Sequence, residues 1–145
     1  MNIRTSKETE IDELVEIWHE GSLKAHDFID SAYWTSQREA MKETYLPLAE
    51  NYVLCRNDTE IVGFVSIVDN VYLAALFIDS KHQGEGYGRA LLDFVKEQYK
   101  QLQLKVYKKN ERAGEFYQRN EFIIKEEQIE EKTGEAEFVM EWIKA

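Results

Sequence analysis

Residues Gln83-Gly84-Glu85-Gly86-Tyr87-Gly88-Arg89 join an apolar run ending at Ile78 to a segment of helical periodicity, a composition suited to holding an anion. Successive main-chain amides in such a turn, with the free amides that open a helix, make a concave site for phosphate oxygens. Glycine permits positive φ there and lets a ligand approach the main chain. Three phosphate-binding patterns compete. A P-loop requires Lys and then Ser or Thr after the last glycine, where this chain has Arg89 and Ala90. A dinucleotide fingerprint requires glycine in place of Arg89 and an acid about 20 residues later, where Leu104, Lys105 and Val106 stand. The third pattern, Gln-x-x-Gly-x-Gly, is met by Gln83, Gly86 and Gly88. A strand-to-helix connection with no ligand is the remaining explanation.

A second segment narrows the choice. Asn110-Glu111-Arg112-Ala113-Gly114-Glu115-Phe116-Tyr117, followed by Asn120-Glu121-Phe122, lies one helix and one strand further along. With both motifs in this order the chain resembles the GNAT superfamily of acetyltransferases, over essentially its whole length. His26-Asp27-Phe28-Ile29, Tyr33-Trp34, Tyr72-Leu73-Ala74-Ala75-Leu76 and Val106-Tyr107-Lys108-Lys109-Asn110 are similar to the small bacterial YiaC/YjaB-like branch, described as peptidyl-lysine N-acetyltransferases. Two positions depart from the family pattern. Glu85 stands where a basic residue is frequent, which removes a favourable charge near the pyrophosphate. Ser80 replaces a common Pro.

The elements that must position these residues are readable from periodicity. Asn2 to Thr5 suits a short strand, and Ile11, Leu14, Val15 and Trp18 recur at helical spacing behind an acid-rich first turn. Ala40, Met41, Thr44, Tyr45 and Leu48 form a second helical stripe that ends near Pro47. Between the two, residues 25–34 are an aromatic-rich connection able to close over a ligand. Residues 52–56 and 61–68 form a hairpin across Asn57-Asp58-Thr59, and 71–78 follow with Asn70 as pivot. Leu91, Phe94, Val95 and Tyr99 give the helix after the glycine turn its apolar stripe. A strand at 104–107, a helix at about 110–119 and a hairpin of 122–129 with 137–143 across Thr133-Gly134 complete the chain. Phe138, Met140 and Trp142 alternate toward one face. This order, β-α-α-β-β-β-α-β-α-β-β, is an α+β arrangement with helices on the faces of a mixed sheet.

The resemblance implies a GNAT fold: one domain over 1–145, with a mostly antiparallel sheet of about seven strands splayed between the fourth and fifth and flanked by about four helices. It makes acetyl-CoA the co-substrate, its pantetheine arm pairing with Leu76, Phe77 and Ile78 as a pseudo-strand. Amides of that strand then stabilise the developing oxyanion. Gln83, Gly84, Glu85, Gly86, Tyr87, Gly88 and Arg89 are implied on the pyrophosphate, with Asn110 as helix cap and cofactor contact and Phe116 beside it. Lys108, Lys109 and Arg112 add peripheral positive charge. Tyr117 is the implied general acid for the departing thiolate. Without the motif, Tyr117 is an ordinary helix aromatic packed on the sheet. Tyr72, His26, Phe28, Tyr33 and Trp34 are the implied acceptor pocket, where aromatic faces also hold cations. Each is equally suited to a core. An amine of pKa about 10.4 must lose a proton before it attacks. No Asp or Glu occurs in the strand over 71–77, so the base is open and a water relay is one route.

Composition supplies the exclusions. A chain of 145 residues, 43% hydrophobic and 12% aromatic with one Pro, suits one compact core. The lone Cys55 precludes an internal disulfide, and its apolar surroundings suit a buried thiol. No Cys/His spacing points to a metal site. No apolar run approaches the about 20 residues of a membrane span, and the N-terminus lacks a signal pattern, so a cytoplasmic location with no membrane partner is expected. A net charge of -10 argues against nucleic acid. Yet residues 81–125 hold 10 of the 18 basic residues and 6 of the 28 acidic ones. Either both regions are solvated faces, or the basic segment suits a polyanionic cofactor and the acidic remainder a cationic acceptor. A protein lysine, a peptide and a small amine all remain open as acceptors, as do monomer and homodimer. The rival reading is a coenzyme A or acyl-CoA sensor that performs no chemistry.

Overall fold

A computed structural model describes residues 1–57 and 59–145. The chain runs β1 (Asn2–Thr5), α1 (Ile11–Ala25), α2 (Ser31–Ser36), α3 (Arg38–Ala40), a π-wound turn (Met41–Tyr45) and α4 (Leu46–Leu48). It continues with β2 (Glu50–Arg56), β3 (Glu60–Val68), β4 (Tyr72–Ile78), α5 (Tyr87–Gln98), β5 (Gln101–Tyr107), α6 (Glu111–Arg119), β6 (Ile123–Ile129) and β7 (Ala136–Ile143). The seven strands form one sheet in the order β1-β2-β3-β4-β5-β7-β6. Neighbours are antiparallel except β4 and β5. The expected α+β class, strand number and mixed sheet are all present.

Helices cover both faces, and the central strand shows it in its sequence. From Ile61 to Ile67 every residue of β3 is buried, the continuous apolar run expected of a strand with helices above and below. On one face Leu14, Trp18, Trp34, Met41 and Leu46 pack on Val53, Phe64 and Ala75. On the other, Leu91, Leu92, Val95 and Tyr117 pack on Val62, Val65, Leu102, Leu104, Met140 and Trp142. Cys55 is fully buried, as its apolar neighbours suggested.

The sheet is split at its centre. β4 and β5 pair at Tyr72 and Gln103, where the Gln103 amide donates to the Val71 carbonyl at 2.8 Å, and then diverge. A bulge supplies the bend. Ser66 of β3 faces Ala75 while Ile67 faces Leu73, leaving Ala74 as an extra residue on β4. The β3–β4 turn is tight because Asp69 and Asn70 both adopt left-handed φ, 54° and 61°, which short polar side chains tolerate. The other turn expected from sequence, Asn57-Asp58-Thr59, includes Asp58, which lies outside the described residues.

The segment before β2 differs from the expected single stripe. The four expected helices correspond to α1, the helical run over 38–48, α5 and α6. A further short helix, α2, occupies the aromatic connection, its first turn capped by Asp30, whose carboxylate accepts from the Ala32 amide at 2.9 Å. The π-wound turn then advances the inward position by one residue. Met41 and Leu46 are buried, whereas Tyr45 and Leu48 are 46% and 73% exposed. Pro47 sits at the start of α4, where its missing amide costs no hydrogen bond.

Close packing of β3 on β4 holds the split strand in place. A Cβ on Gly63 would lie 2.5 Å from Ile78 Cδ1 and 2.9 Å from the Phe77 carbonyl oxygen. Gly63→Ala is therefore expected to destabilise the protein by about 2 kcal/mol, lowering Tm in a thermal melt by roughly 5 °C. An unchanged Tm would show that β4 shifts freely.

Candidate active site

The glycine turn folds as a cup at the end of β4. The Asp79 amide donates to the Val62 carbonyl at 2.8 Å, and its carboxylate accepts from the Lys81 amide at 3.0 Å, starting a short 3-10 turn. Gly84 and Gly86 have φ of 80° and 83°, and a Cβ on either would meet nothing within 4 Å. Backbone conformation, rather than crowding, selects glycine at both positions. Gly86 is the N-cap of α5 and lacks a side chain to satisfy its first amides, which are left for an anion. Glu85 is turned aside toward His82 Nδ1, 3.7 Å away, and does not line the cleft. Arg89 is exposed beside Asp93 at 3.7 Å and borders the cleft.

From this cup a cleft of about 1440 Å³ runs through the β4–β5 split to the α1–α2 face. Leu76, Phe77, Ile78, Gln83, Gly84, Gly86, Tyr87, Gly88, Arg89, Asn110, Phe116 and Tyr117 line it, as do Tyr72, His26, Tyr33 and Trp34. Of the expected site residues, Glu85 and Phe28 lie outside the lining. Phe28 backs the wall, edge-on to His26 and Tyr107, with Lys109 Nζ 5.7 Å from its ring. Lys108 and Lys109 bond across to Glu127 at 3.4 Å and Glu135 at 3.1 Å, tying the start of α6 to the β6–β7 hairpin instead of standing free for a cofactor. Arg112 borders the cleft.

Asn110 caps α6, accepting from the Ala113 amide at 3.3 Å, and so fixes the helix that carries Tyr117. Tyr117 is buried between Phe116 and Phe122, yet its residue borders the cleft at the split. Burial, and then the nearby Tyr72 phenol, push the Tyr117 hydroxyl above its ordinary pKa. It is a neutral phenol at any working pH, able to donate a proton and unable to serve as a ready-made base.

The opposite wall is aromatic. His26 lies 5.1 Å from Trp34 and 5.0 Å from Tyr107, centroid to centroid. Asn110 Nδ2 donates to His26 Nε2 at 3.3 Å, so the neutral ring carries its proton on Nδ1. That Nδ1, Trp34 Nε1 and Ser22 Oγ are buried without partners among the described residues. Such atoms call for a water or a ligand group. Further residues border this wall and were missed by sequence reasoning, among them Tyr107, Gln128, Glu130, Lys132 and Glu137. Tyr107 stood in a recognised segment without an assigned role. The Phe138, Met140, Trp142 alternation implied that Glu137 faces the other way, but nothing local showed that this face is covered.

A split sheet with an amide-lined cup and a tyrosine at the split is the arrangement that the resemblance to GNAT acetyltransferases implied. An acetyltransferase (GNAT) domain model matches residues 19–143. The peptidyl-lysine N-acetyltransferase YiaC of Escherichia coli K12 is 34% identical over 140 residues, covering 97% of this chain and 95% of that protein. YjaB, a peptidyl-lysine N-acetyltransferase of the same organism, is 33% identical over 124 residues, 86% of this chain and 83% of its own. The solution structure of apo YjaB superposes with a TM-score of 0.86 at 27% identity, covering 99% of this chain and 98% of that one. The fold is also shared with PaiA N-acetyltransferase from Thermoplasma acidophilum in complex with coenzyme A, at TM-score 0.77 and 22% identity, covering 99% of each chain. The chain belongs to the GNAT acetyltransferase family. It is an acetyl-CoA-dependent N-acetyltransferase.

Burial holds His26 down to a pKa of about 4, against about 6.5 in an unfolded chain. Between those values the unfolded state binds the extra proton, so this residue withdraws stability as pH falls from 6.5 toward 4. His26→Gln is expected to lose less stability than the parent between pH 7 and pH 5, measured by urea midpoints. Equal losses would place His26 in solvent.

Proposed function

We propose that this enzyme acetylates a lysine side chain of a protein or peptide, by direct attack of the amine on the thioester in a ternary complex. The observation that carries the reading is the placement of Tyr117, a buried neutral phenol where the amide cup, the split strands and the aromatic wall meet. The peptidyl-lysine specificity of YiaC and YjaB supports a lysine acceptor, and so does a wall of aromatic rings and carboxylates in a protein of net charge -10. A small cationic amine is the alternative acceptor with the same chemistry.

In this reading the free edge of β4 over Leu76, Phe77 and Ile78 pairs with the pantetheine arm, whose amides find no other partner there. The cup over Gln83 to Arg89 takes the pyrophosphate. Phe116 and Asn110 flank the arm. Tyr72, His26, Tyr33 and Trp34 hold the acceptor's side chain, with Phe28 as backing. The amine attacks the carbonyl carbon, the C–S bond breaks, and the sulfur takes a proton through the Tyr117 hydroxyl. A phenol held above its ordinary pKa is too weak an acid to give up its proton outright. It acts by relaying a proton that the newly bonded nitrogen must lose in the same step.

Titration with acetyl-CoA, followed by thiol release on adding an N-terminally blocked lysine peptide, tests the reading. Acceptor-dependent release is expected; binding without release across peptides and small amines would favour the sensor. Tyr117→Phe should lower kcat about 100-fold while leaving acetyl-CoA affinity within about threefold. Full turnover in that variant would remove Tyr117 from the proton path. Tyr72→Ala should raise the acceptor KM with little change in acetyl-CoA binding.

A further inference from the structure

Glu137 opens the inner part of β7, opposite Tyr107 of β5 and Gln128 of β6. Strand alternation places it on the face opposite Phe138, Met140 and Trp142, and it borders the same cleft as Tyr72 and Tyr117. Its residue is 6% exposed. Gln128 Nε2 donates to Oε2 at 2.7 Å, which orients the carboxylate. Its acidic neighbours are otherwise engaged: Glu127 by Lys108, Glu135 by Lys109 and Glu141 by Lys125 at 3.9 Å. Glu130 accepts from the amide and hydroxyl of Thr133 at 2.8 and 2.9 Å. Glu137 makes no ion pair with any described residue. A carboxylate buried in this way is costly unless a cation joins it.

The groups that face it are those of a cation site. Tyr72 from β4 and Tyr107 from β5 lie close enough for its charge to add to the burial that keeps both phenols neutral. Tyr33 of α2, and Glu130 and Lys132 of the β6–β7 turn, lie beyond them along the wall, and Lys105 borders the cleft from β5. Lysine side chains at this site are thus outnumbered by aromatic rings and carboxylates, and neither Lys105 nor Lys132 pairs with Glu137.

We infer that Glu137 receives the acceptor's ammonium group and takes the proton that must leave before attack. The inference rests on the amine acetylation proposed above. Glu137 removes one N–H proton, freeing the electron pair that forms the C–N bond as the C–S bond breaks. A second nitrogen proton reaches sulfur through Tyr117, and the proton on Glu137 departs to solvent through the cleft mouth. One ammonium and one thioester give one amide, one thiol and one proton. The missing acid of the β4 strand is thereby supplied from β7.

Glu137→Gln keeps the size of the side chain and an oxygen for Gln128. With an N-terminally blocked lysine peptide, its kcat/KM should fall about 100-fold at pH 7, with acetyl-CoA affinity within about threefold of the parent. The deficit should shrink to less than about tenfold at pH 10, because solution then supplies the free amine that Glu137 otherwise generates. Glu137→Asp, which retains a carboxylate, should regain at least about tenfold of the loss at pH 7. Parent-like turnover in Glu137→Gln, a deficit equal at pH 7 and pH 10, or an Asp variant no better than Gln would each overturn the assignment. A parent protein that binds acetyl-CoA and acetylates no amine would instead sink the acetylation reading, with Glu137 falling alongside it.

Discussion

One hydrogen-bonded register between two parallel strands sets the architecture of this enzyme. At Tyr72 and Gln103 the sheet is continuous; two residues later the Ala74 bulge turns β4 away. Backbone groups that a regular ladder would consume are left unpaired in the interior, a costly condition that a ligand's amides can relieve. Both helical layers serve this break. The turn over 79–86 joins β4 to α5, so the cup of amides sits at the mouth of the split, and the short 108–110 link joins β5 to α6, so Tyr117 borders the split from that helix. α1 and α2 roof the opposite side, so the cleft reaches both faces of the sheet.

Protonation states are arranged by burial more than by ion pairing. Tyr117, Tyr72 and Tyr107 are all kept neutral chiefly by desolvation, and so is His26, whose ring prefers its uncharged form for the same reason. Some charged residues at the rim of the cleft and beside it are held by ion pairs, Lys24 with Glu20 and Arg89 with Asp93 among them. Lys108 and Lys109 illustrate this: their ion pairs fasten the β6–β7 hairpin to the entry of α6. Within the cleft Glu137 is a buried carboxylate with no ion pair among the described residues, and burial raises its electrostatic weight.

The legible parts of the sequence were those whose cause is local. Gly84 and Gly86 stood out because positive φ is a property of single residues, and Asn70 marked its turn for a similar reason. Tyr117 was found through its motif, since periodicity alone would have made it a core aromatic. The helix at Ser31–Ser36 was hidden because six residues are too few to show a stripe. The π-wound turn was hidden because it changes the period that such a stripe is read with. Glu137 depended on β7 lying between β5 and β6 and on a roof built from residues about a hundred positions earlier, neither of which any local pattern encodes.

A sheet with a break has inner edges as well as its two outer ones, and the chain treats them differently. β1 offers four residues, too short for a stable guest. β6 is long but kinked by a bulge at Lys125, and exposed Lys125, Glu126 and Glu127 make that rim charged and uneven. The inner edge of β4 is apolar and shielded from other proteins by the walls of the cleft. The cleft walls therefore cover the apolar inner edge that would otherwise lie open to pairing with a strand of another molecule.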